Sequence, residues 1–401
     1  MSRDADCIVV GAGPAGCSAA FCLARAGVNV LLLERADGFP RNKVCGDGLT
    51  PASVRELEAL GIVGPSSGTA NWVQGGVLFS PSGTSVDMVG SRACVMRRSQ
   101  LDAALFRKVV DAGVRVQLAT SVRAVTMDGG AAVVTTARDP LRCELVVLAT
   151  GSRSSLPILH KIQRPPPADA VARRAYFSKV RWRPDRLLFC YARELLPAYG
   201  WLFPLGNGVA NIGVGSFLGE SSASNLAPAF QHFQSWLKRE GILDEACEPA
   251  DEGTDLLRTG MRGNALVAER LLAVGDAAAA IDPLSGEGVS QALRSGRLAA
   301  ETATRALKSG ELSAQGLGEY RRAMHATYGR RARQARWARR LLRSSRLIDV
   351  LVGAARERPD VANLVYEMLL GEKDPLPTMG RAALAMVTTG AWRRPFSRHE
   401  T

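Results

Sequence analysis

A glycine-rich turn near the start of the chain has the residue spacing of a dinucleotide-binding site. It reads Gly11-Ala12-Gly13-Pro14-Ala15-Gly16, follows the strand-like run 7–10 and opens an alanine-rich helix that Gly27 is expected to end. Such glycines let backbone N–H groups approach a pyrophosphate at the positive end of the helix. Glu34 closes the next predicted strand and can accept hydrogen bonds from ribose hydroxyls. Together these elements predict a nucleotide site, although the turn alone does not distinguish NAD from FAD.

A second candidate segment lies far downstream, where the strand-like run 271–274 ends in Gly275-Asp276. The sequence then reads Asp282-Pro-Leu-Ser-Gly286-Glu-Gly288 before a predicted helix over 286–307. An acid at the end of a central strand can bind a ribityl hydroxyl, and a helix that starts at these glycines directs N–H groups toward an electron-rich flavin edge. The two segments together favour FAD.

The elements that must position these residues form an alternating α/β pattern with an antiparallel interruption. Regions 71–95 and 168–219 are rich in aromatic residues, β-branched residues and turn glycines, which is typical of antiparallel sheet. We therefore predict an α/β FAD-binding Rossmann-like domain, an inserted antiparallel β-sheet domain for the substrate, and a C-terminal helical region. The FAD-binding domain is expected to comprise 1–70, 95–165 and 265–330. The substrate domain comprises 71–94 and 166–264, and the helical region comprises 331–401.

The charge of the chain is concentrated in one segment. The 401 residues carry a formal charge of +13, but ten arginines and no acids lie between 321 and 346. The six at 333, 336, 339, 340, 343 and 346 fall within an arc of about 140° on a helical wheel, with Trp337 and Leu341 on the other side. A solvated face of a packed helix and a surface that docks on anionic lipid are both open interpretations. Nucleic-acid binding is disfavoured, because the basicity is local and no reading helix is visible.

Composition restricts the remaining classes of protein. No run approaches the roughly 20 apolar residues that span a bilayer, and the N-terminus does not resemble a secretory signal. The eight cysteines form no Cys-x-x-Cys pair, so neither a metal site nor a disulfide framework is predicted. These features favour a cytoplasmic protein, with peripheral membrane association left open. The sequence does not indicate an oligomeric state.

Three segments resemble the geranylgeranyl reductase family of FAD-dependent oxidoreductases. They are Phe39-Pro-Arg-Asn-Lys-Val-Cys-Gly-Asp-Gly-Leu49, Tyr199-Gly-Trp-Leu-Phe-Pro-Leu-Gly206 and the stretch 275–288. The resemblance implies the GR2 or p-hydroxybenzoate-hydroxylase type of fold and transfer of a hydride from reduced FAD to an isolated alkene of a lipophilic prenyl substrate. The pattern is most similar to actinobacterial members that reduce the isoprenoid tail of menaquinone. NADPH or another reductant would supply the electrons.

The resemblance also assigns residues to the site. Cys45, Tyr199, Trp201 and Phe203 would face the reacting substrate, where Cys45 is either a proton donor, a redox-sensitive thiol or a packing residue. The residues expected to hold FAD are Gly11, Gly13, Pro14, Ala15, Gly16, Glu34, Arg35, Arg41, Cys45, Gly46, Asp47, Arg98, Gly275, Asp276, Gly286, Gly288 and Val289.

Two departures from related flavoproteins leave alternatives open. Thr150 stands where an aspartate is usual, and no second Gly-x-Gly-x-x-Gly is present to bind NADPH. A flavin monooxygenase acting on a polyketide-like metabolite is the alternative activity, because the same fold supports oxygen chemistry. A flavin-binding partner without catalytic activity is the third, least favoured class.

Overall fold

The computed structural model describes residues 3–64, 68–152, 167–217, 226–261 and 266–389. The helices are α1 (Pro14–Arg25), α2 (Pro51–Ala59), α3 (Arg98–Asp111), α4 (Ala227–Arg239), α5 (Val289–Ser309), α6 (Gly318–Leu341), α7 (Ser345–Glu357), α8 (Pro359–Leu369) and α9 (Pro375–Thr389), with a short 3-10 helix at Gly275–Ala278. The strands are β1 (Ala5–Val10), β2 (Val30–Leu33), β3 (Gly48–Leu49), β4 (Asn71–Phe79), β5 (Ser85–Val95), β6 (Arg115–Gln117), β7 (Ala124–Asp128), β8 (Ala131–Thr135), β9 (Leu141–Leu148), β10 (Ala170–Phe177), β11 (Arg186–Cys190), β12 (Tyr199–Gly206), β13 (Val209–Phe217), β14 (Ala250–Leu257), β15 (Val267–Ala268) and β16 (Leu271–Ala273).

The first sheet has a parallel centre in the order β16-β9-β1-β2-β6. Side chains alternate between its faces, as strand geometry requires. Val9 and Leu32 pack with α1 and α5, whereas Ile8 and Leu31 pack against the β7–β8 hairpin. The carboxyl ends of β1 and β16 therefore place the glycine-rich turn and Asp276 on the same edge. The hairpin itself was not predicted from the sequence.

The second sheet has the order β14-β10-β13-β12-β11-β4-β5-β3 and is antiparallel except where β4 pairs with β11. One face is covered by α4, whose Phe233 would collide with a Cβ at Gly200. On the other face, α7 and α8 cover β4 and β5 through residues such as Val365. The part of this face formed by β10, β11 and β12 bounds the cavity described below.

These two sheets confirm the predicted fold class. The helix predicted over 286–307 begins three residues later, at Val289, since Gly286 has a φ of +69° and belongs to the preceding turn. The predicted C-terminal region from 331 starts inside α6, which runs unbroken from Gly318 to Leu341. Positions 390–401 of that region lie outside the described residues. The division into an FAD-binding part and a substrate part remains our proposal.

Candidate active site

The glycine-rich turn is shaped by backbone contacts that exclude side chains. Gly11 has a φ of +102°, and a Cβ at Gly16 would lie 1.8 Å from the Gly11 carbonyl oxygen. Glycine alone fits a left-handed backbone angle and such a close approach without strain. Gly13 is the N-cap of α1, and its own Cβ would lie 3.3 Å from the Arg41 guanidinium. The turn therefore brings a helix N-terminus and an arginine to one point, as a pyrophosphate requires.

Glu34 is buried at the end of β2 and holds the turn in place. Its Oε2 accepts a 2.7 Å hydrogen bond from Ala12 N–H, and its Oε1 accepts a 3.0 Å bond from Ala36 N–H. Each carboxylate oxygen has a second lone pair. Glu34 thus fixes the backbone on both sides of itself, and its carboxylate also borders the cavity described below.

Asp102 is a buried residue behind the site that no sequence motif marked as functional. It is fully buried on α3 and pairs with both site arginines, at 2.9 Å to Arg41 and 2.9 Å to Arg98 Nε. A carboxylate between two guanidinium groups orients both and offsets their charge. The only sequence signal for Asp102 is its position four residues after Arg98, which places both on one face of α3.

The segment from Phe39 to Leu49 crosses the cavity face of the second sheet. Asn42 donates to Asp251 at 2.7 Å, and Lys43 pairs with Asp255. Val44 occupies space that a Cβ at Gly253 would fill at 2.6 Å. Each anchor comes from a strand far away in the sequence, so the segment has one position relative to the sheet.

Asp47 is the buried centre of that segment. Its carboxylate accepts hydrogen bonds from Tyr176 Oη at 2.7 Å, Asn211 Nδ2 at 2.8 Å and Arg98 N at 3.0 Å. Burial raises the pKa of Asp47, and these hydrogen bonds oppose the shift. Burial also raises the pKa of the Cys45 thiol, while the nearby Arg98 guanidinium partly lowers it. Cys45 is therefore a protonated thiol at neutral pH.

Three aromatic side chains project from alternate positions of β12 into the cavity. The rings of Tyr199, Trp201 and Phe203 follow one another at centroid distances of 6.1 and 6.2 Å. Trp201 and Phe203 contact the Phe39–Leu49 segment at its two glycines, where there is no side chain. A Cβ at Gly48 would lie 2.9 Å from Phe203, and one at Gly46 would lie 3.3 Å from Trp201 Nε1. Burial and the charge of Asp282 raise the pKa of Tyr199 to about 12, which keeps its hydroxyl neutral.

The loop before α5 supplies the remaining polar groups. Burial raises the pKa of Asp276, and Lys43 and Arg98 oppose that shift by their charges. Asp282 accepts from the N–H groups of Leu284 and Ser285, both at 2.9 Å, and pairs with Arg331 of α6 at 2.6 Å. The loop between Asp276 and Val289 is therefore held by short-range turns and by one long-range ion pair.

Most of these groups border one cavity of about 580 Å³. It brings together every predicted site residue except Gly16 and Gly275, which lie behind its wall and permit close packing instead: a Cβ at Gly275 would lie 2.9 Å from Ala15 Cβ. Thr150, which stands where related flavoproteins usually have an aspartate, also lines the cavity. Leu369 and Leu370, at the end of α8, close the apolar side together with Leu187 and Phe189. No sequence pattern predicted that contribution of the C-terminal helices.

The residues present fit a bound FAD. The cavity extends from Glu34 and the glycine turn to the aromatic wall, which is the polarity change expected from adenosine to isoalloxazine. Arg41 Nε and Ser152 Oγ are buried beside it and find no hydrogen-bond partner among the described residues. The elongated site thus combines a helix N-terminus, a carboxylate suited to a ribose, and buried polar atoms that a ligand can satisfy. This combination is typical of the class of FAD-dependent oxidoreductases.

Comparison with known proteins agrees with this class. Residues 4–335 match the model of the FAD binding domain family. The chain is 35% identical over 324 residues to a menaquinone reductase of Mycolicibacterium smegmatis, covering 75% of this chain and 76% of the relative. It is 31% identical over 308 residues to a digeranylgeranylglycerophospholipid reductase of Methanopyrus kandleri, covering 74% and 80%.

Solved structures show the same fold. A geranylgeranyl bacteriochlorophyll reductase-like protein from Thermoplasma acidophilum superposes with a TM-score of 0.78 at 22% identity, over 96% of this chain and 98% of that one. A flavin-dependent brominase superposes with a TM-score of 0.71 at 21% identity, over 97% and 99%. Since the family model covers residues 4–335 and two reductase relatives match about three quarters of the chain, the chain belongs to the FAD-dependent geranylgeranyl reductase family, as its motifs predicted.

Proposed function

We propose that the protein saturates isolated alkenes in the prenyl chain of a lipophilic substrate. The supporting observation is a continuous cavity in which the flavin-side loops and an apolar, aromatic wall face each other. The names of the relatives point to menaquinone and digeranylgeranylglycerophospholipid as substrate classes, and both molecules carry prenyl chains. Reduced FAD, when bound, supplies the hydride.

The aromatic wall suits this reaction because hydride addition to an unactivated alkene develops positive charge on the other carbon. The faces of Tyr199, Trp201 and Phe203 attract a cation by about 0.5–2 kcal/mol each when water is excluded. Trp201 is 5% exposed, so its face contributes in a desolvated setting. Aliphatic walls would hold the chain equally well but would not stabilise the charge.

Cys45 is the proposed proton donor to that second carbon. Its raised pKa keeps the thiol protonated, and the nearby Arg98 guanidinium stabilises the thiolate that remains after transfer. One hydride and one proton complete the new C–H bonds, and solvent then reprotonates the sulfur. We propose that NADPH or another reductant reduces the flavin transiently, since the sequence has a single Gly-x-Gly-x-x-Gly turn.

The function is tested by mass spectrometry of menaquinone incubated anaerobically with the reduced protein. The quinone ring also accepts two hydrogens, so the extract is reoxidised in air before it is weighed. A gain of two hydrogens per tail alkene supports the proposal. An unchanged tail, or a product that forms only with oxygen and carries one oxygen atom, contradicts it and favours the monooxygenase alternative.

We further propose that the protein collects this substrate at an anionic membrane surface through one face of α6. Trp337 is 58% exposed and Leu341 is 42% exposed, and the Arg340 guanidinium lies 5.1 Å from the Trp337 ring centroid. Arg333 and Arg340 flank them in solvent. Exposed apolar and cationic groups on one helix face act together at a lipid surface. Within the described residues, no helix has the length and apolarity to cross a bilayer.

The structure corrects the arginine arc expected from the helical wheel. The arc assumed one helix, but α6 ends at Leu341 and α7 begins at Ser345, so Arg343 and Arg346 are not on α6. Arg336 donates to the Gly260 carbonyl at 3.2 Å, and Arg339 stacks on Phe217 at 4.2 Å and pairs with Asp169 at 3.7 Å. The reason is packing: Ala332, Ala335 and Ala338 form the buried stripe of α6, and these two arginines border it. Trp337 and Leu341 lie on the solvent side with the remaining arginines, not opposite them.

Vesicle sedimentation tests the surface. Replacing Arg333 and Arg340 by Gln removes two exposed charges of α6, each worth about 1 kcal/mol near an anionic membrane, so binding is expected to fall by roughly 30-fold. A variant with Arg25 and Arg107 changed to Gln loses the same charge elsewhere on the exposed surface and is expected to pellet like the wild type. Equal release of both variants would contradict a specific surface on α6.

A further inference from the structure

Asn211 is a fully buried residue of β13 that lies outside every motif recognised in the sequence. In the sheet it pairs with Phe203 of β12 on one side and with Tyr176 of β10 on the other. Residues paired across antiparallel strands share a face, so Asn211 points toward the cavity side of the sheet. It lies behind the cavity wall and is not among the residues that line it.

Its side chain joins the two halves of the reaction site. Asn211 Oδ1 accepts a 3.0 Å hydrogen bond from Trp201 Nε1, and Nδ2 donates 2.8 Å bonds to the Cys45 carbonyl and to Asp47 Oδ2. The partners fix the orientation of the amide, because an indole N–H can only donate, whereas a carbonyl and a carboxylate accept. An amide is the side chain that offers one acceptor and two donors in this volume.

The neighbours on β13 show that this position differs from the rest of its face. The next two residues on that face are Gly213 and Gly215, over which the rings of Trp201 and Tyr199 lie: added Cβ atoms would be 2.2 and 3.1 Å from those rings. Where β13 supports an aromatic ring it has glycine, and where it supports the Cys45 segment it has asparagine. The pattern Asn211-x-Gly213-x-Gly215 thus corresponds to the two neighbours of this face of β13, the Cys45 segment and the aromatic rings of β12.

We propose that Asn211 is a positioning residue that sets the distance between the Cys45 thiol and the Trp201 ring, and thereby aligns the alkene between proton donor and aromatic face. The proposal rests on the proposed alkene reduction and assigns to it a residue that touches neither substrate nor cofactor. Catalytic geometry is sensitive to such support, since a displacement of about 1 Å can lower a rate by about 100-fold.

The test compares two reactions of the reduced flavin, its reoxidation by an alkene and its reoxidation by oxygen. The protein is reduced anaerobically and mixed either with detergent-dispersed geranylgeraniol, which has alkenes and no quinone, or with oxygen. In Asn211→Asp, which keeps the volume and the acceptor for Trp201 but places a second carboxylate against Asp47, reoxidation by the alkene is expected to slow by about 10–100-fold. Flavin content and reoxidation by oxygen are expected to stay within about two-fold of wild type. Asn211→Leu removes all three bonds and is expected to be at least as slow.

Asn71 provides the matched control. It is a half-buried asparagine of β4 that donates to the carbonyls of Pro184 and Pro204 at 2.7 and 2.9 Å, away from the Cys45 segment. Asn71→Leu is expected to lose stability but to keep the alkene rate. Wild-type alkene rates in Asn211→Asp would overturn the proposal, and so would a folded variant that has lost its flavin. If the wild-type protein itself is not reoxidised by the alkene, the proposed function fails instead.

Discussion

The nucleotide turn and the Cys45 segment border the same cavity but are built in opposite ways. The turn around Gly11 and Gly16 is defined by backbone atoms that approach too closely for any side chain. The Cys45 segment is defined by side chains, because Asp47 and Asn211 carry its hydrogen bonds to distant strands. In the proposed function the first part binds the constant phosphate and ribose of FAD, whereas the second presents a thiol to a variable chain. A site can therefore keep its cofactor while its reaction geometry is lost.

The largest effect is expected where both parts depend on one residue. Asp102→Asn leaves Arg41 and Arg98 without their shared buried carboxylate, and removing one partner of a buried pair costs about 3–5 kcal/mol. Because Arg41 borders the turn and the Arg98 backbone binds Asp47, unfolding free energy and flavin content should fall together. Chemical denaturation and flavin absorbance measure both.

Asp360→Asn is the control for Asp102, since Asp360 pairs with Arg358 at the surface and lies away from the cavity. Its stability and flavin content are expected to match the wild type. Loss of flavin from Asp102→Asn without any loss of stability would show that Asp102 serves the turn alone.

Gly16→Ala is expected to break the turn and leave the Cys45 segment intact. Its Cβ would lie 1.8 Å from the Gly11 carbonyl oxygen, so the turn must move away from the pyrophosphate. Loss of one charge-assisted hydrogen bond costs about 1.5–3 kcal/mol, which predicts FAD affinity lower by roughly 10–100-fold in equilibrium titration. Gly38→Ala is the control, because a Cβ there meets nothing within 4 Å. Equal affinity of both variants would contradict the account of the turn.

Cys45→Ala is expected to affect only the reaction. Loss of a general acid typically lowers kcat by about 100-fold or more, with flavin content unchanged. An acid must be protonated, so wild-type kcat should stay level through neutral pH and fall only as pH rises through the thiol pKa, which burial raises above its ordinary value of about 8.5. The variant should lack that alkaline fall. Cys247→Ala, on the far side of the second sheet, should behave as wild type; a Cys45→Ala enzyme with an unchanged profile would assign Cys45 to packing.

The same contrast explains how much of the site the sequence predicts. The turn residues and Glu34 follow one another at fixed spacings set by local backbone geometry, so their positions follow from sequence pattern. Asp102, Asn211 and Tyr176 act through contacts between segments far apart in the chain, and no local spacing encodes such contacts. Cys45, Tyr199 and Trp201 were found through family resemblance, and their mutual geometry came only from the structure.

The C-terminal helices show the same limit. Helical periodicity predicted one basic amphipathic helix through Arg346, but α6 ends at Leu341 and α7 begins at Ser345. Periodicity also could not predict which arginines pack. The alanine stripe of α6 turns Arg336 and Arg339 inward, and the end of α8 brings Leu369 and Leu370 to the cavity. Which face of a helix is buried depends on the surface it meets, and that surface is remote in sequence.

The most direct test of alkene reduction is an anaerobic titration of the reduced wild-type protein with geranylgeraniol. Since this lipid has no quinone and no oxygen is present, its alkenes are the only electron acceptors offered to the flavin. The account predicts that oxidised flavin absorbance returns, with one flavin oxidised for each bond saturated and a mass gain of two hydrogens per bond. Flavin that stays reduced with excess lipid, and reoxidises only when air is admitted, would contradict it.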